Sequence, residues 1–373
     1  MSNHTLKATA VGSVSALALA ALSTTAHADG PELYGAVDIG LESYSADDEA
    51  PQFIFSGLNT AEGDLFRDPD EPGRADDRDF LLSNAFQSRL GVRGGEDLTD
   101  NLRASYNIEF SVDVLDEDGG GFSDAVGTRL GWVALSGDWG MAKIGTQWMA
   151  LYEFGGWNAH RAEVHGYGTY FYTTGVLRDS LGFGFRQGSA VSYQYGSAWG
   201  HSDPFALNIT AGIGEGPDNE SGISSIQVAG QYSFMDMFSI NAVVIQEIVD
   251  VEEGINDDEA TLFNVGARWS VTPEFELGAN YTFVTDYFDG VDADSDRDSI
   301  ALAAFYDFGL GWDGQLGIAT ASADDIPDID FNVYGFVRYA FTERTNTYLE
   351  FEHIDYDNDT DETIGMLAVQ HNF

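Results

Sequence analysis

The stretch Leu102-Arg-Ala-Ser-Tyr-Asn-Ile-Glu-Phe-Ser-Val-Asp-Val114 alternates without a break. Leu102, Ala104, Tyr106, Ile108, Phe110, Val112 and Val114 share one face, and Arg103, Ser105, Asn107, Glu109, Ser111 and Asp113 share the other. A period of two places successive side chains on opposite sides of a β-strand, so one side of this strand meets apolar surroundings and the other meets water. The pattern recurs in both directions. Leu33, Val37, Ile39 and Leu41 oppose Tyr34, Asp38 and Glu42, and Phe275, Leu277, Ala279, Tyr281 and Phe283 oppose Glu276, Gly278, Asn280 and Thr282. A soluble sandwich shows the same period, so alternation leaves sandwich and transmembrane barrel both open.

The connections separate the two. Short links at 94–101, 137–140, 199–204, 234–237, 271–274, 309–313 and 341–346 take turns with longer, acidic ones. The longer links fall at 46–79, 116–126, 147–189, 214–224, 249–259, 286–298, 322–330 and 356–363. Tight turns at one rim and long loops at the other are how an outer-membrane barrel is built. The segments between links number about sixteen, an even count as closure of an antiparallel barrel requires. The expected fold is all-β: a transmembrane antiparallel barrel whose last strand, Ile364–Phe373, pairs with the first near Leu33.

Composition agrees. The 373 residues include 43 glycines, 8 prolines and no cysteine, so disulfides and thiolate metal sites are excluded. Acidic residues number 62 against 16 basic, a net charge of -46, which makes nucleic acid a poor partner. Adaptation to high salt accounts for so large an excess without any specific acidic function. Lys7, the apolar run Ala8–Leu22 and Ala26-His27-Ala28 read as a cleaved signal peptide over 1–28, leaving 29–373 as an exported barrel domain.

One segment, from Gln147 to about Ser189, breaks the rhythm. It carries Trp-Met-Ala-Leu-Tyr-Glu-Phe-Gly-Gly-Trp (148–157), then His160, Arg161, Glu163 and His165, then a Gly/Tyr/Phe run over 166–175. A loop so long and so aromatic is expected to be ordered and functional. Folded into the lumen, it would narrow the barrel.

These residues resemble the general porins of Gram-negative outer membranes, trimeric sixteen-stranded barrels. The likeness spans the chain. It rests on Glu-Leu-Tyr-Gly (32–35), Ser-Arg-Leu-Gly-Val-Arg-Gly-Gly-Glu-Asp-Leu (88–98), Thr-Arg-Leu-Gly (128–131), Glu-Phe-Gly-Gly (153–156) and the terminal Phe373. Tyr152 stands where many relatives have Pro, Thr146 where many have Arg, and His371 where many have Tyr. The resemblance implies a homotrimer among outer-membrane lipid and lipopolysaccharide. It also implies passive diffusion of ions and small hydrophilic solutes, with no catalysis and no cofactor.

If the apolar faces meet lipid, Arg89, Arg93, Arg103, Arg129 and Lys143 point inward from adjacent strands, with Asp38, Glu42, Glu109 and Asp113 offsetting them. In the resembling family such a basic wall faces acids on the third loop. By motif match Glu153 is that acid, and Glu163 is a second candidate. The acidic loops predict a cation preference that weakens as salt screens them.

A substrate-specific channel for sugars or organic acids would stack its solute on Tyr167, Tyr170 or Phe171. An outer-membrane hydrolase would need a Ser/His pair on the outer wall, and none is convincing. The aspartate runs 292–298 and 355–361 lack the spacing of a calcium loop and read as hydrated loop tips. His160 and His165 lack the helical zinc spacing and read as solvated. Trp132, Trp269, Tyr339 and Phe341 are candidates for an interfacial aromatic girdle.

Overall fold

Alternating sequences of this kind can satisfy every backbone group in a bilayer only by closing on themselves. In a computed structural model they do so. The structure describes residues 27–47, 50–51, 78–85, 88–115, 126–160, 166–175, 177, 180–181, 184–199, 203–215, 221–247, 260–287, 295–324 and 326–373. Its strands are β1 (His27–Ala46), β2 (Arg78–Ser83), β3 (Arg89–Thr99), β4 (Leu102–Val112), β5 (Val126–Gly137) and β6 (Gly140–Trp148). They continue with β7 (Ser180–Leu181), β8 (Arg186–Tyr195), β9 (Phe205–Glu215), β10 (Ser221–Phe234), β11 (Phe238–Glu247) and β12 (Thr261–Ser270). The last six are β13 (Phe275–Tyr287), β14 (Ser295–Gly309), β15 (Trp312–Ala323), β16 (Ile329–Ala340), β17 (Thr345–Tyr356) and β18 (Asp361–Asn372).

β2 and β3 pair with successive stretches of β1, at Gly40–Tyr44 and at His27–Ala36, so they form one interrupted stave. β7 is a two-residue partner of β8. Sixteen staves remain, each antiparallel to its neighbours, and β18 closes the cylinder on β1 from Ala36↔Asn372 to Ala46↔Glu362. Short turns such as 138–139, 235–237 and 310–311 alternate with long connections around the whole circuit, as the sequence leads one to expect. The junction proposed after Ala28 falls within the first residues of β1, and residues 1–26 lie outside the described set.

The outer face is an apolar band. Leu41, Ile108, Val133, Ile209, Val228, Val265, Leu302, Ile318, Leu349 and Leu367 are all exposed on it. Rows of large exposed apolar side chains around a closed barrel are at home only against hydrocarbon. Trp269, Trp312 and Phe341 lie near strand ends and are exposed, and Trp312, Tyr339 and Phe341 pack in sequence, tilted and then edge to face, with centroids 4.8 and 5.0 Å apart. Trp132 does not belong with them. It sits on the inner face beside the exposed Val133, with the Lys143 ammonium 5.3 Å from its ring centre.

Nor is the inner face uniformly polar. Val243, Ile245, Leu262 and Val284 point inward and are fully buried against Met149, Leu151, Phe154 and Phe171 of the connection between β6 and β8. Burying such side chains stabilises by about 1.5–3 kcal/mol each, enough to fix that connection against one wall.

Candidate functional site

The connection between β6 and β8 is more regular than its composition implies. A π-helical turn, Leu151–Gly155, runs into a 3-10 turn, Gly156–Asn158, and a short helix, α1, covers Gly168–Thr174. Helix was not expected here, because the Gly/Tyr/Phe run shows no 3.6-residue apolar stripe.

Inner-face side chains of successive strands hold the segment. Gln227 of β10 accepts from the Ala150 N–H at 3.1 Å, Asn241 of β11 accepts from Asn158 at 2.6 Å, and Asn280 of β13 donates to the Gly155 carbonyl at 2.8 Å. Gln315 of β15 and Tyr334 of β16 each donate to the Ala159 carbonyl at 2.8 Å. On β17 the Glu352 carboxylate accepts from the N–H groups of Gly166 and Gly168, both at 2.8 Å. The contacts therefore step across the wall from β10 to β17. The inward glycines Gly266 and Gly278 make room for this segment, not for water: a methyl group on either would overlap Asn158.

His160 is buried, against its reading as a solvated residue. Its Nδ1 lies 2.8 Å from the Gly166 carbonyl, and its ring stacks on Tyr167 and on Tyr334, with centroids 5.6 and 5.5 Å away. Burial pulls its pKa down to about 4, and the bond to Gly166 offsets only part of that. His165 and Glu163 lie outside the described residues. Among the described residues no cluster of histidine and carboxylate could hold a metal ion.

Opposite the segment, β1 and β3–β5 bound a cavity of about 570 Å³. Arg89, Arg93 and Arg129 line it on the barrel side, and Trp148, Tyr152, Trp157 and Trp199 line it on the other. Glu109 is the hub of the charged wall. It accepts from Arg129 Nε at 2.8 Å and from the Tyr34 hydroxyl at 2.9 Å, and Arg89 Nε is 3.9 Å away. Arg93 forks onto Glu32 at 2.8 and 3.0 Å, in an exposed pair.

The remaining sequence candidates are spread around the barrel. Arg103 pairs with Asp97 at 2.8 Å beside the β3–β4 turn, outside the cavity. Lys143 is buried beneath Trp132. Asp38 lies buried between β1 and its neighbours, accepting from Tyr348 at 2.9 Å and from Gln370 at 3.0 Å. Glu153 is buried in the π-helical turn and does not line the cavity. Burial raises its pKa, while the field of Lys143 and a hydrogen bond from Trp199 oppose the rise.

Tyr170 and Phe171, candidates for stacking a solute, are interior residues of the segment's own core, and the Tyr170 hydroxyl donates to the Gly184 carbonyl at 3.0 Å. The aromatics that reach the cavity are Tyr34, Trp148, Tyr152, Trp157, Tyr167, Phe185, Trp199 and Phe373, of which sequence reasoning nominated Tyr167 alone as a ring for stacking solute. The density of Trp and Tyr over 148–157 was the available signal, but nothing in it says which rings turn outward from the segment.

A closed sixteen-stave barrel with an apolar exterior and a charged interior cavity defines an outer-membrane channel protein. A family model described as Gram-negative porin matches residues 14–359, and the chain belongs to that family. Among curated proteins it is similar to a chitoporin from Vibrio furnissii, 25% identical over 279 residues, which cover 68% of this chain and 70% of that one. Among solved structures it is similar to the anion-selective porin from Comamonas acidovorans, with a TM-score of 0.70 at 16% identity over 94% of this chain and 100% of that one. It is also similar to the trimer form of OmpT from Vibrio cholerae, with a TM-score of 0.64 at 17% identity over 94% of this chain and 100% of that one. At these identities the solved structures speak to fold alone.

Proposed function

We propose that the protein is a passive diffusion channel for ions and small hydrophilic solutes, and that the segment between β6 and β8 lies in the lumen as its constriction. The observation that carries this reading is the cavity left between that segment and the β1–β5 wall, lined by arginines on one side and half-buried aromatics on the other. Arg89, Arg93 and Arg129 form the charged side of the narrow region. Lys143, Glu153 and Asp38 shape the field from behind its surface, and Arg103 acts at the rim. The homotrimer follows the general porins, and a trimer form of OmpT is among the structural neighbours. We read the acidic excess as salt adaptation of the water-facing loops. Swelling of liposomes reconstituted with folded protein tests the channel. Arabinose and glucose should enter at rates that fall with solute size, and swelling no faster than in protein-free liposomes would refute the reading.

Ion preference has two opposed contributions. The chain's acidic excess draws cations at long range, whereas the cavity lining holds three arginines against Glu109. At low salt the acidic exterior sets the sign, giving cation preference.

A second reading, a substrate-specific channel for sugars, is favoured by the aromatic lining and by the likeness to a chitoporin. Saturable block of ion current by one sugar, absent with its isomers, would select it.

A further inference from the structure

We propose that the cavity between the arginine wall and the aromatic wall is a binding site for ring-bearing carboxylates, an assignment that rests on the channel reading above. The two walls ask for different halves of one solute. Arg89 and Arg93 present guanidinium groups, forked donors that match a carboxylate in two parallel hydrogen bonds, and the buried Arg129 adds its charge from behind Glu109. Among the described lining residues Glu109 is the one acid beside three arginines, so that part of the lining keeps a positive excess. Arg93 keeps its exposed pair with Glu32, and exposed pairs exchange at little cost.

Across the cavity, Trp148, Tyr152 and Trp157 are half-buried and Trp199 is 37% exposed, leaving flat apolar surface for a ring. Trp157 and Trp199 pack edge to face at 5.4 Å, and Tyr152 meets both nearly at right angles, so the rings brace each other. Behind Trp148 stands Arg186, whose guanidinium is 5.5 Å from the indole centre. The Arg186 side chain is buried and its Nε has no hydrogen-bond partner among the described residues. A buried cation left so poorly compensated adds positive potential to the aromatic side as well.

Other solute classes use less of the site. A simple inorganic anion would leave the aromatic wall idle. A neutral sugar would find acceptors in Glu109 and Asn107 and rings to stack on, but it would leave the arginine charge unmatched. An organic cation would meet the arginines. The volume of about 570 Å³ falls in the roughly 300–1,000 Å³ range typical of small-molecule sites.

The test uses full-length folded protein in planar bilayers at about 0.1 M KCl, where charges act over roughly 10 Å. Benzoate and galacturonate are the probes, with acetate, benzyl alcohol and galactose as controls. Both acids, or one of them, should block current saturably at concentrations at least about tenfold below every control, and the stronger of the two tells an arene from a sugar acid as the preferred ring. Arg89→Gln and Trp157→Leu should each raise the half-blocking concentration about tenfold, the loss expected for one charged hydrogen bond or one ring contact. Acetate blocking as well as benzoate, together with galactose blocking as well as galacturonate, would overturn the assignment.

Quenching of tryptophan fluorescence in detergent-folded protein gives a second readout that needs no conduction. Saturable quenching by the acids with electrically silent bilayers would sink the channel reading and keep the binding site. Ohmic channels with neither block nor quenching would sink the site and keep the channel.

Discussion

Arg129 on β5 donates through Nε to Glu109 Oε1 on β4 at 2.8 Å, and both side chains are almost wholly buried. Neighbouring staves are thus joined across the charged wall by an ion pair out of reach of bulk salt. Arg89 lies 3.9 Å from the same carboxylate, so one acid restrains two guanidinium groups. Removing that acid takes away the carboxylate that both share. Glu109→Gln should therefore move the reversal potential under a KCl gradient toward chloride, and should lower thermal stability by about 3 kcal/mol. Reversal potentials and heat-modifiable gel migration check the two halves separately.

Gly278 on β13 lies directly beneath the Asn158 carbonyl, where a side chain would collide with backbone. Gly278→Val should lift the segment locally and break the Asn280 bond to Gly155 while leaving the barrel closed. The expected result is a larger or noisier single-channel conductance and faster proteolysis within 150–160. Unchanged conductance and protease resistance would mean that the segment does not govern passage.

Acid should act on the same segment through His160. Burial holds its pKa at about 4 in the folded state, below the ordinary histidine value of about 6.5. Because the unfolded or undocked segment binds the proton more readily, docking is at full strength above pH ~6.5 and weakens as pH falls toward 4. The loss reaches about 3 kcal/mol at the lower limit. Current noise and protease sensitivity should rise across that window and level off below it. His160→Gln should flatten the dependence.

Salt should separate the two contributions to ion preference. The Debye length shortens from about 10 Å at 0.1 M to about 3 Å at 1 M, which screens the acidic exterior before it screens charges inside the cavity. Cation preference measured at low salt should fade, and by about 1 M the arginine lining should bring the permeability ratio to unity or below. A ratio that stays constant across this range would place its origin elsewhere.

Much of the barrel was legible in the sequence, because lipid on one side imposes an alternation that survives in runs such as Leu102–Val114. The strict exchange of long and short links then fixed closure and an even stave count. Legibility ended where inner-face residues meet protein instead of water. Val243, Ile245, Leu262 and Val284 break the polar interior because the β6–β8 connection covers them. Asn241, Asn280 and Gln315 occupy polar, inward positions and hold that connection in place instead of meeting water. Runs of Asn and Gln at inward positions of consecutive strands were the available clue. Trp132 was misassigned to the girdle for a related reason: it stands mid-strand in β5 with its ring on the inner face, and only the pairing of β5 with β6 brings it beside Lys143. Charge types could be read, but partners could not: Glu109 and Arg129 stand twenty residues apart and meet only through the pairing of β4 with β5.

In the channel proposed above, water and ions pass through the inside of this barrel while its apolar outside meets hydrocarbon. Current across a planar bilayer after addition of heat-modifiable, detergent-folded protein tests it most directly. Discrete, ohmic current steps that scale with KCl concentration and enlarge in Gly278→Val are expected. A bilayer that incorporates the folded protein and stays silent from low to molar salt would contradict it.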